Sequence, residues 1–291
     1  MKELRNISVI GLGLLGGSIA LAARQRLPGV RVFGYSHRAS TRARARSLGI
    51  GTEISDDLPA AVRDADLAIV ATPIFTFEEY FAEISRLAPD GCIVTDVGST
   101  KVLPHRWAGH QLDKRVHYVG SHPVAGSEQR GVEFARDDLF YQACCVLTVT
   151  PTTNRGAVKS LRAFWSALGC SIRVMDPVAH DRVFANISHL PHVLAAGLVN
   201  ASYGDDMKFA GKGFLDSTRI ASGPSTIWTD VLLANGKNIA DGIDRVIAEL
   251  SKLQAAIKSG RRPKIEQLLE TARTKRATLV NYKIKRKELL S

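Results

Sequence analysis

The chain has 291 residues, of which 45% are hydrophobic, and a formal net charge of +11. This length and apolar content predict an ordinary soluble globular protein of one or two domains, and the sequence has no internal repeat or low-complexity stretch. The four cysteines, at positions 92, 144, 145 and 170, form no Cys-x-x-Cys pair and have no ligand-like spacing with histidine. We therefore expect reduced core thiols and a cytoplasmic protein.

The apolar segment 7–23 follows Lys2 and Arg5, so it could be taken for a secretory signal peptide. Its glycines argue against that interpretation, because they form Gly-x-Gly-x-x-Gly between a β-like run and a helix-like run. In this setting the first glycine permits a tight turn, the second lets a pyrophosphate approach the backbone, and the third lets the helix pack on the strand. The motif predicts a dinucleotide-binding site formed by Gly11, Gly13, Leu14, Leu15 and Gly16.

The second predicted strand, at 30–35, ends in three polar residues, Ser36, His37 and Arg38. A site that prefers NAD usually has Asp or Glu here to bind the ribose 2′-hydroxyl. Without that carboxylate, a hydroxyl and a guanidinium are available for a 2′-phosphate, which predicts NADP as the preferred cofactor, with NAD possible. The alternative is that Arg38 and Arg42 only solvate the helix predicted at 41–48.

Two apolar runs, at 67–71 and 92–95, predict buried strands of a parallel sheet. Thr72 and Pro73 follow the first run, and the segment Asp-Val-Gly-Ser-Thr-Lys at 96–101 follows the second. Both strand ends should border the cofactor. The Ser99 hydroxyl could then reach the nicotinamide or the substrate, or it could cap a helix predicted to begin near Thr100.

Residues 120–128 place one histidine, two serines and Glu128 in a polar segment. Because Pro123 restricts the residue before it to extended conformations, the strand predicted at 116–120 should end just ahead of His122. Ligands of open α/β sheets bind beyond the carboxyl ends of the strands, so His122 is a candidate catalytic residue. The alternative is that His122 only fixes a surface turn.

Further strands are predicted near 145–150 and 170–175, with a helix at 155–168 between them. This alternation predicts a Rossmann-type, doubly wound α/β sheet in an N-terminal domain of residues 1–175. After Asp176 and Pro177 long helix-like segments replace the strands. They predict an all-α C-terminal domain of residues 176–291.

Within the helical domain, the motif Ser-His-Leu-Pro-His at 188–192 is unusual. Pro191 should kink or break a helix interior, which indicates a shaped site that includes His189. We expect His192 to be a packed helix residue. No metal site is predicted from His180, His189 and His192, because no carboxylate or thiol with suitable spacing accompanies them.

The positive charge is concentrated at the C-terminus, where residues 252–291 contain twelve Lys or Arg against three Glu. Apolar residues at helical spacing (Ile265, Leu268, Leu269, Ala272 and Leu279) predict an amphipathic helix with a solvated basic face. The alternative is a nucleic-acid or membrane-surface binder. Because Tyr282 is the tail's one aromatic residue and no nucleic-acid motif is recognised, we predict neither nucleic acid nor membrane as a partner.

The chain resembles the prephenate/arogenate dehydrogenase family of tyrosine biosynthesis along nearly its whole length. The resemblance runs through the glycine fingerprint, segments 96–101 and 121–128, the motif at 188–192, and Thr-Arg-Ile-Ala at 218–221. The His-Pro-x-Ala-Gly-x-Glu segment together with Ser-His-Leu-Pro-His is its specific part. The resemblance implies an N-terminal nucleotide domain and a helical C-terminal domain through which two chains form a homodimer.

The resemblance also implies roles for individual residues. His122 would be the catalytic histidine and Ser99 its partner near the substrate hydroxyl, while His189, Arg219 and Glu128 would bind the substrate. The expected reaction is oxidative decarboxylation of prephenate to 4-hydroxyphenylpyruvate, with hydride transfer to a nicotinamide cofactor.

The substrate and the class of enzyme keep alternatives at this stage. An arogenate dehydrogenase would give tyrosine directly, but the segment 222–228 after Arg219 has no acidic residue for the ammonium group of arogenate. This absence favours prephenate. A different two-domain hydroxyacid dehydrogenase would share the glycine motif but would leave the His-Pro-x-Ala-Gly-x-Glu segment unexplained.

Overall fold

The computed structural model describes residues 4–125 and 129–285. The chain divides into two compact units, with the division after Gly236. No described helix is both long enough and apolar enough to cross a membrane. The domain boundary expected after residue 175 stays a prediction.

The first unit contains a six-stranded parallel sheet with the strand order β3-β2-β1-β4-β5-β6. Its strands are β1 (Asn6–Ile10), β2 (Arg31–Tyr35), β3 (Glu53–Ser55), β4 (Leu67–Val70), β5 (Ile93–Asp96) and β6 (His117–Tyr118). The order reverses between β1 and β4, and ligands of such sheets bind in the crevice beyond the carboxyl ends of the strands at this point.

Five helices accompany this sheet: α1 (Leu14–Arg26), α2 (Ala39–Ser47), α3 (Leu58–Val62), α4 (Phe77–Leu87) and α5 (Val102–Gln111). The core has two clusters, and the neighbouring β1 residues Val9 and Ile10 belong to different ones. Both faces of the sheet are therefore covered, as the continuous apolar strands predict. In α4 the buried residues Phe77, Phe81 and Ile84 recur at helical spacing and form its inner face.

A second, three-stranded sheet consists of β7 (Gly120–Val124), β8 (Cys144–Thr148) and β9 (Ser171–Met175), with α6 (Arg155–Ala167) between β8 and β9. β7 is antiparallel to β8, and β8 is parallel to β9. The α/β fold class is confirmed, and β6 lies within the strand expected at 116–120. The expected position of His122 beyond the end of a strand is wrong. His122 lies inside β7 opposite Val146 rather than after a strand. Pro123 is tolerated because β7 is an edge strand, and because the residue before a proline favours extended backbone.

The described chain after β9 contains helices and turns and no strand, which confirms the helical C-terminal region. The helices are α7 (Pro177–Phe184), α8 (Leu190–Ala201), α9 (Lys212–Thr218), α10 (Ser225–Ala234), α11 (Gly236–Lys258) and α12 (Arg262–Lys285). A π-helical turn, Ala185–His189, joins α7 to α8. Pro191 cannot donate the hydrogen bond that a helix interior requires, and this wide turn lies directly before it.

The basic C-terminal segment is helical, as its apolar spacing predicts. On α12, Arg262 pairs with Glu266 at 2.9 Å and Arg273 with Glu270 at 2.7 Å. However, Leu269 and Leu279 are exposed. Ile265 and Leu268 of the same expected apolar face are half-buried, so that face is only partly covered.

Candidate active site

The glycine turn after β1 has the geometry of a phosphate cradle. Gly11 has a φ of +98°, which favours glycine. A Cβ at Gly16 would lie 1.9 Å from the Gly11 carbonyl oxygen, whereas a Cβ at Gly13 would meet nothing within 4 Å. α1 begins at Leu14 with no acidic residue in its first turn. The turn thus brings free helix N–H groups to an open space, as a pyrophosphate requires, and Leu14 and Leu15 supply the start of that helix.

The three polar residues predicted to bind the cofactor after β2 differ in their exposure. Ser36 is buried and accepts a hydrogen bond from the Arg38 backbone N–H at 3.3 Å, while His37 and Arg38 are exposed. Arg42 donates to the carbonyls of Ser36 and His37 at 2.8 and 3.0 Å, and it lies 3.4 Å from Asp56. Arg42 therefore holds the turn, which leaves Arg38 as the exposed guanidinium at the start of α2.

Thr72 and Pro73 follow β4 and lie beside the glycine turn. A Cβ at Gly11 would approach the Thr72 methyl group to 2.8 Å. The Thr72 hydroxyl lies 2.7 Å from that of Thr76, which in turn donates to the Pro73 carbonyl at 2.7 Å. The two residues predicted to border the cofactor are thus rigidly held at the carboxyl end of β4.

The centre of the site is a chain of three buried side chains from β7 and α7. His122 Nδ1 lies 2.8 Å from His180 Nε2, and His180 Nδ1 lies 2.8 Å from Asp181 Oδ1. His122, His180 and Asp181 are 8%, 0% and 1% exposed. The Phe184 ring lies 4.5 Å from the His122 ring and stacks on His180 at 4.4 Å. β7 and α7 therefore fix the orientation of both imidazoles.

Burial keeps these imidazoles neutral. It lowers the pKa of His122 well below its ordinary value, and the neighbouring His180, Lys101 and His189 lower it further. Burial also lowers the pKa of His180, although Asp181 acts in the opposite direction. His122 thus has the protonation state that a general base needs near neutral pH.

Asp181 also joins α7 to the start of α5. Its carboxylate accepts hydrogen bonds from the backbone N–H groups of Lys101 and Val102 at 2.7 and 2.9 Å. The alternative role of Ser99, capping this helix, is not observed, because α5 begins at Val102 and Asp181 satisfies its first N–H groups instead. A carboxylate at a helix N-terminus is also favoured by the helix dipole.

A buried ion pair lies beneath this helix start. Lys101 and Asp96 are both 0% exposed, and the Lys101 ammonium contacts the Asp96 carboxylate. Asp96 also accepts hydrogen bonds from the Gly98 N–H at 2.7 Å and from the Tyr118 hydroxyl at 2.6 Å. The segment 96–101 is therefore anchored at both ends, which fixes the half-buried Ser99 between them.

His189 is fully buried at the end of the π-helical turn. The Asn235 side-chain amide donates to the Asp181 carbonyl at 2.7 Å and lies 3.2 Å from His189 Nδ1. With Nδ1 as acceptor, Nε2 carries the proton; it makes no hydrogen bond of ordinary geometry among residues 4–125 and 129–285, although the Ser99 backbone lies close enough to favour the protonated ring. Burial lowers the pKa of His189 to about 4, although Asp181 and the nearby Ser99 backbone act in the opposite direction. His189 thus presents a neutral N–H donor close to His122.

The remaining predicted residues lie further along the helical region. His192 stacks on Trp228 with ring centroids 3.5 Å apart, as expected for a packed histidine. Arg219 is exposed at the start of a 3₁₀ turn, Arg219–Ser222, that packs against α8.

The structure brings together only part of the predicted set. In the described ranges, the His122 side chain makes its hydrogen bond and ring contacts with His180 and Phe184 rather than with Ser99 or Arg219. Glu128 lies outside the described residues. His122 and His189 are thus close together, whereas the roles of Ser99, Arg219 and Glu128 stay predictions.

Five site residues escaped sequence reasoning: Asp96, Lys101, His180, Asp181 and Asn235. In α7 the polar residues His180 and Asp181 are buried, whereas the apolar Val178 is 63% exposed. The sequence shows this pattern of residue types, but it points to a site only when the segment packed against the buried face of α7 is known. The sequence analysis considered His180 only as a metal ligand, whereas in the structure it lies between His122 and Asp181. No group of three or more metal-binding side chains occurs in the described ranges.

This fold and this site define a dehydrogenase that uses a nicotinamide dinucleotide. Two family models match the chain: "Prephenate dehydrogenase, nucleotide-binding domain" over residues 19–174, and "Prephenate dehydrogenase, dimerization domain" over residues 176–271. The chain therefore belongs to the prephenate dehydrogenase family.

Similar proteins agree with this assignment. A prephenate dehydrogenase of Bacillus subtilis is 35% identical over 94% of this chain and 76% of its own length. A cyclohexadienyl dehydrogenase of Zymomonas mobilis is 33% identical over 89% of this chain and 90% of its own. The crystal structure of prephenate dehydrogenase from Aquifex aeolicus, in complex with hydroxyphenyl propionate and NAD+, matches with a TM-score of 0.88 at 30% identity, covering 96% of this chain and 99% of that one.

Proposed function

We propose that this protein catalyses the oxidative decarboxylation of prephenate to 4-hydroxyphenylpyruvate, with His122 as the general base. The observation that carries the proposal is a buried, neutral His122 held at 2.8 Å by His180, in a chain of the prephenate dehydrogenase family. A base with these properties suits a substrate whose reacting carbon carries a hydroxyl group.

The reaction requires that two bonds break in concert with a proton movement. An oxidised nicotinamide cofactor, held at the glycine turn, would supply the acceptor for the hydride that leaves the carbinol carbon of prephenate. The bond to the ring carboxylate breaks and releases carbon dioxide, and its electron pair makes the ring aromatic. His122 accepts the hydroxyl proton as the C–O bond gains carbonyl character, and it returns that proton to the oxygen once the ring is aromatic. Such base assistance is typically worth about 10²–10⁴ in rate.

Other residues orient the substrate in this proposal. Ser99 follows β5 in a segment fixed by the Lys101–Asp96 pair, and its hydroxyl would direct the substrate hydroxyl towards His122. The buried Nε2–H of His189 would donate to a polar group of the substrate. Arg219 would bind a substrate carboxylate, and Glu128 would lie near the pocket mouth.

Turnover would be fastest if Arg219 bound the carboxylate of the pyruvyl side chain of prephenate. A tight ion pair on the ring carboxylate would stabilise the charge that must flow into the ring. Uniform binding there lowers KM without raising kcat, whereas a grip on the pyruvyl side chain leaves the departing carboxylate free.

The cofactor preference is a separate part of the proposal. We infer that NADP is preferred over NAD, because the turn after β2 has no carboxylate and presents the exposed Arg38 at the start of α2. A guanidinium pairs strongly with a 2′-phosphate. The related Aquifex aeolicus enzyme, by contrast, was crystallised with NAD+.

We also infer that two chains form a homodimer through the helical region. The family model that matches residues 176–271 is described as a dimerization domain. Ile247, Leu250 and Ile257 on α11 are each more than half exposed, and such an apolar stripe favours a partner surface. Sedimentation of the protein and of its Leu250→Lys variant would test this, since a monomeric wild type would contradict the inference.

The test of the function is reduced-nicotinamide formation by purified protein, with prephenate and arogenate each crossed with NADP and NAD. We expect the highest kcat/KM with prephenate and NADP. A preference for arogenate would retain the proposed chemistry and change the substrate. Arogenate is a candidate because a crystal structure of an arogenate dehydrogenase from Synechocystis matches this chain with a TM-score of 0.81 at 29% identity, covering 94% of this chain and 99% of that chain. Absence of turnover with all four pairs would overturn the proposed function.

A further inference from the structure

A general base works only if its lone pair faces the substrate, and an isolated imidazole has two neutral tautomers. The described residues that contact His122 include one that selects between them, because His122 Nδ1 lies 2.8 Å from His180 Nε2. We propose that His180 and Asp181 are positioning residues that hold His122 in the tautomer with the proton on Nδ1 and the lone pair on Nε2. The inference rests on the proposed function for its kinetic consequence, but not for the tautomer itself.

The assignment starts from the carboxylate. Asp181 Oδ1 and Oδ2 accept from backbone N–H groups at 2.7 and 2.9 Å, and an N–H can only donate. Oδ1 is therefore an acceptor, and His180 Nδ1, 2.8 Å away, is the donor. A neutral His180 then has its lone pair on Nε2, which must accept from His122 Nδ1–H. The remaining nitrogen, His122 Nε2, is left unprotonated.

The chain is held rigidly enough to keep this arrangement. The Asp181 carboxylate is bound to the start of α5, and its backbone carbonyl accepts from the Asn235 amide at 2.7 Å. The Phe184 ring contacts both imidazoles. None of the three side chains, His122, His180 and Asp181, can rotate without breaking a buried hydrogen bond. The orientation and the tautomer of His122 are therefore fixed together.

The carboxylate also matters when His122 takes up charge. Lys101 and His189 lie near His122 and oppose a positive charge on it, as does His180 itself. The Lys101 charge is paired with Asp96, whereas Asp181 is linked to His122 through the His180 ring. A carboxylate that orients an imidazole and stabilises its charged form acts in the same way in the Ser-His-Asp triad.

Three variants separate positioning from mere packing. His180→Leu removes the acceptor for His122 Nδ1–H, whereas His180→Gln retains a carbonyl oxygen that can accept it. His105→Gln is the control, because the half-buried His105 imidazole bonds Thr148 at 2.9 Å rather than His122. We expect His180→Leu to lower kcat about 10- to 100-fold with KM for prephenate within about twofold, His180→Gln to recover at least part of that loss, and His105→Gln to retain kcat.

The tautomer is measured directly by ¹⁵N NMR of histidine-labelled protein, with the His122 signals assigned by their loss in His122→Asn. We expect a protonated Nδ1 and an unprotonated Nε2 on His122 in the wild type, and a mixture of tautomers in His180→Leu and Asp181→Asn. A proton on Nε2 in the wild type would overturn the proposal. So would unchanged tautomers in both variants, or equal kcat for His180→Leu and wild type. If the tautomers change as expected and the wild type does not turn over prephenate, the positioning holds and the proposed function fails.

Discussion

The two glycines at the start of α1 make a matched pair for testing the dinucleotide site. A methyl group added at Gly13 would face open space, whereas one added at Gly16 would lie 1.9 Å from the Gly11 carbonyl oxygen. Gly13 has a φ of −88°, which alanine adopts without strain. Gly13→Ala should therefore leave the fold intact and place its methyl group where the pyrophosphate approaches the backbone.

Gly16→Ala should mainly lower the stability of the fold, whereas Gly13→Ala should mainly weaken cofactor binding. In Gly16→Ala the Cβ and the Gly11 oxygen must separate by about 1 Å to reach even a tight contact, and forcing such overlap into a packed core costs about 1–3 kcal/mol or more. For a unit of this size that lowers Tm by roughly 4–8 °C per 2 kcal/mol. Gly13→Ala should change the free energy of unfolding by less than about 0.5 kcal/mol. It should nevertheless weaken cofactor binding about tenfold or more, which is a loss of about 1.4 kcal/mol.

The assay combines thermal unfolding without cofactor and fluorescence titration of each variant with NADP and NADPH. Gly109→Ala, in α5, serves as the control, because its added methyl group would also meet nothing within 4 Å and Gly109 is not part of the glycine turn. If Gly13→Ala bound both cofactors as the wild type does, the space in front of Gly13 would not be the pyrophosphate site. If Gly16→Ala unfolded at the wild-type temperature, the reasoning from its close approach would be refuted.

Three further predictions concern charge and protonation. Lys101→Met should lower the free energy of unfolding by about 3–5 kcal/mol, because it leaves the buried Asp96 carboxylate without its cation; urea unfolding measures this, and a loss below about 1 kcal/mol would contradict it. Burial lowers the pKa of His105 and of His189 to about 4, below the value of about 6.5 in the unfolded chain, so the stability that they contribute is complete above pH 6.5 and is lost as the pH falls towards 4. The free energy of unfolding should accordingly be lower at pH 5 than at pH 7, by at most about 1.4 kcal/mol per pH unit for each histidine. The fall should be smaller in His105→Gln. An equal fall in this variant and in the wild type would refute the contribution of His105. Arg38→Glu should raise KM for NADP about tenfold or more and leave KM for NAD within about threefold, and equal changes for both cofactors would rule out a 2′-phosphate contact.

The nucleotide-binding half could be predicted from the sequence because its signals are local. The glycine spacing, the apolar runs and the change of periodicity after Asp176 each depend on neighbouring residues, and the described strands β1, β2, β4 and β5 follow them closely. The π-helical turn before Pro191 was indicated in the same way, since proline removes one backbone donor.

The polar centre of the site could not be predicted in this way, because it is formed by contacts between distant segments. Asp181 caps a helix that begins 79 positions before it, and His122 and His180 are 58 positions apart. Local sequence near Pro123 even favoured the wrong strand boundary, because the pairing of β7 with β8 is a long-range choice. The resemblance to a known family supplied His122 without these contacts, and the structure adds the partners that fix its orientation.

The most direct test of His122 as the general base compares initial rates of wild type and His122→Asn with prephenate and NADP, with Arg219→Ala measured beside them. We predict that His122→Asn lowers kcat at least about 100-fold with little change in KM, since it removes the base and retains a polar side chain of similar reach. Arg219→Ala should instead raise KM for prephenate and largely retain kcat. Undiminished kcat in His122→Asn, or the same pattern of loss in both variants, would contradict the assignment of His122 as the general base.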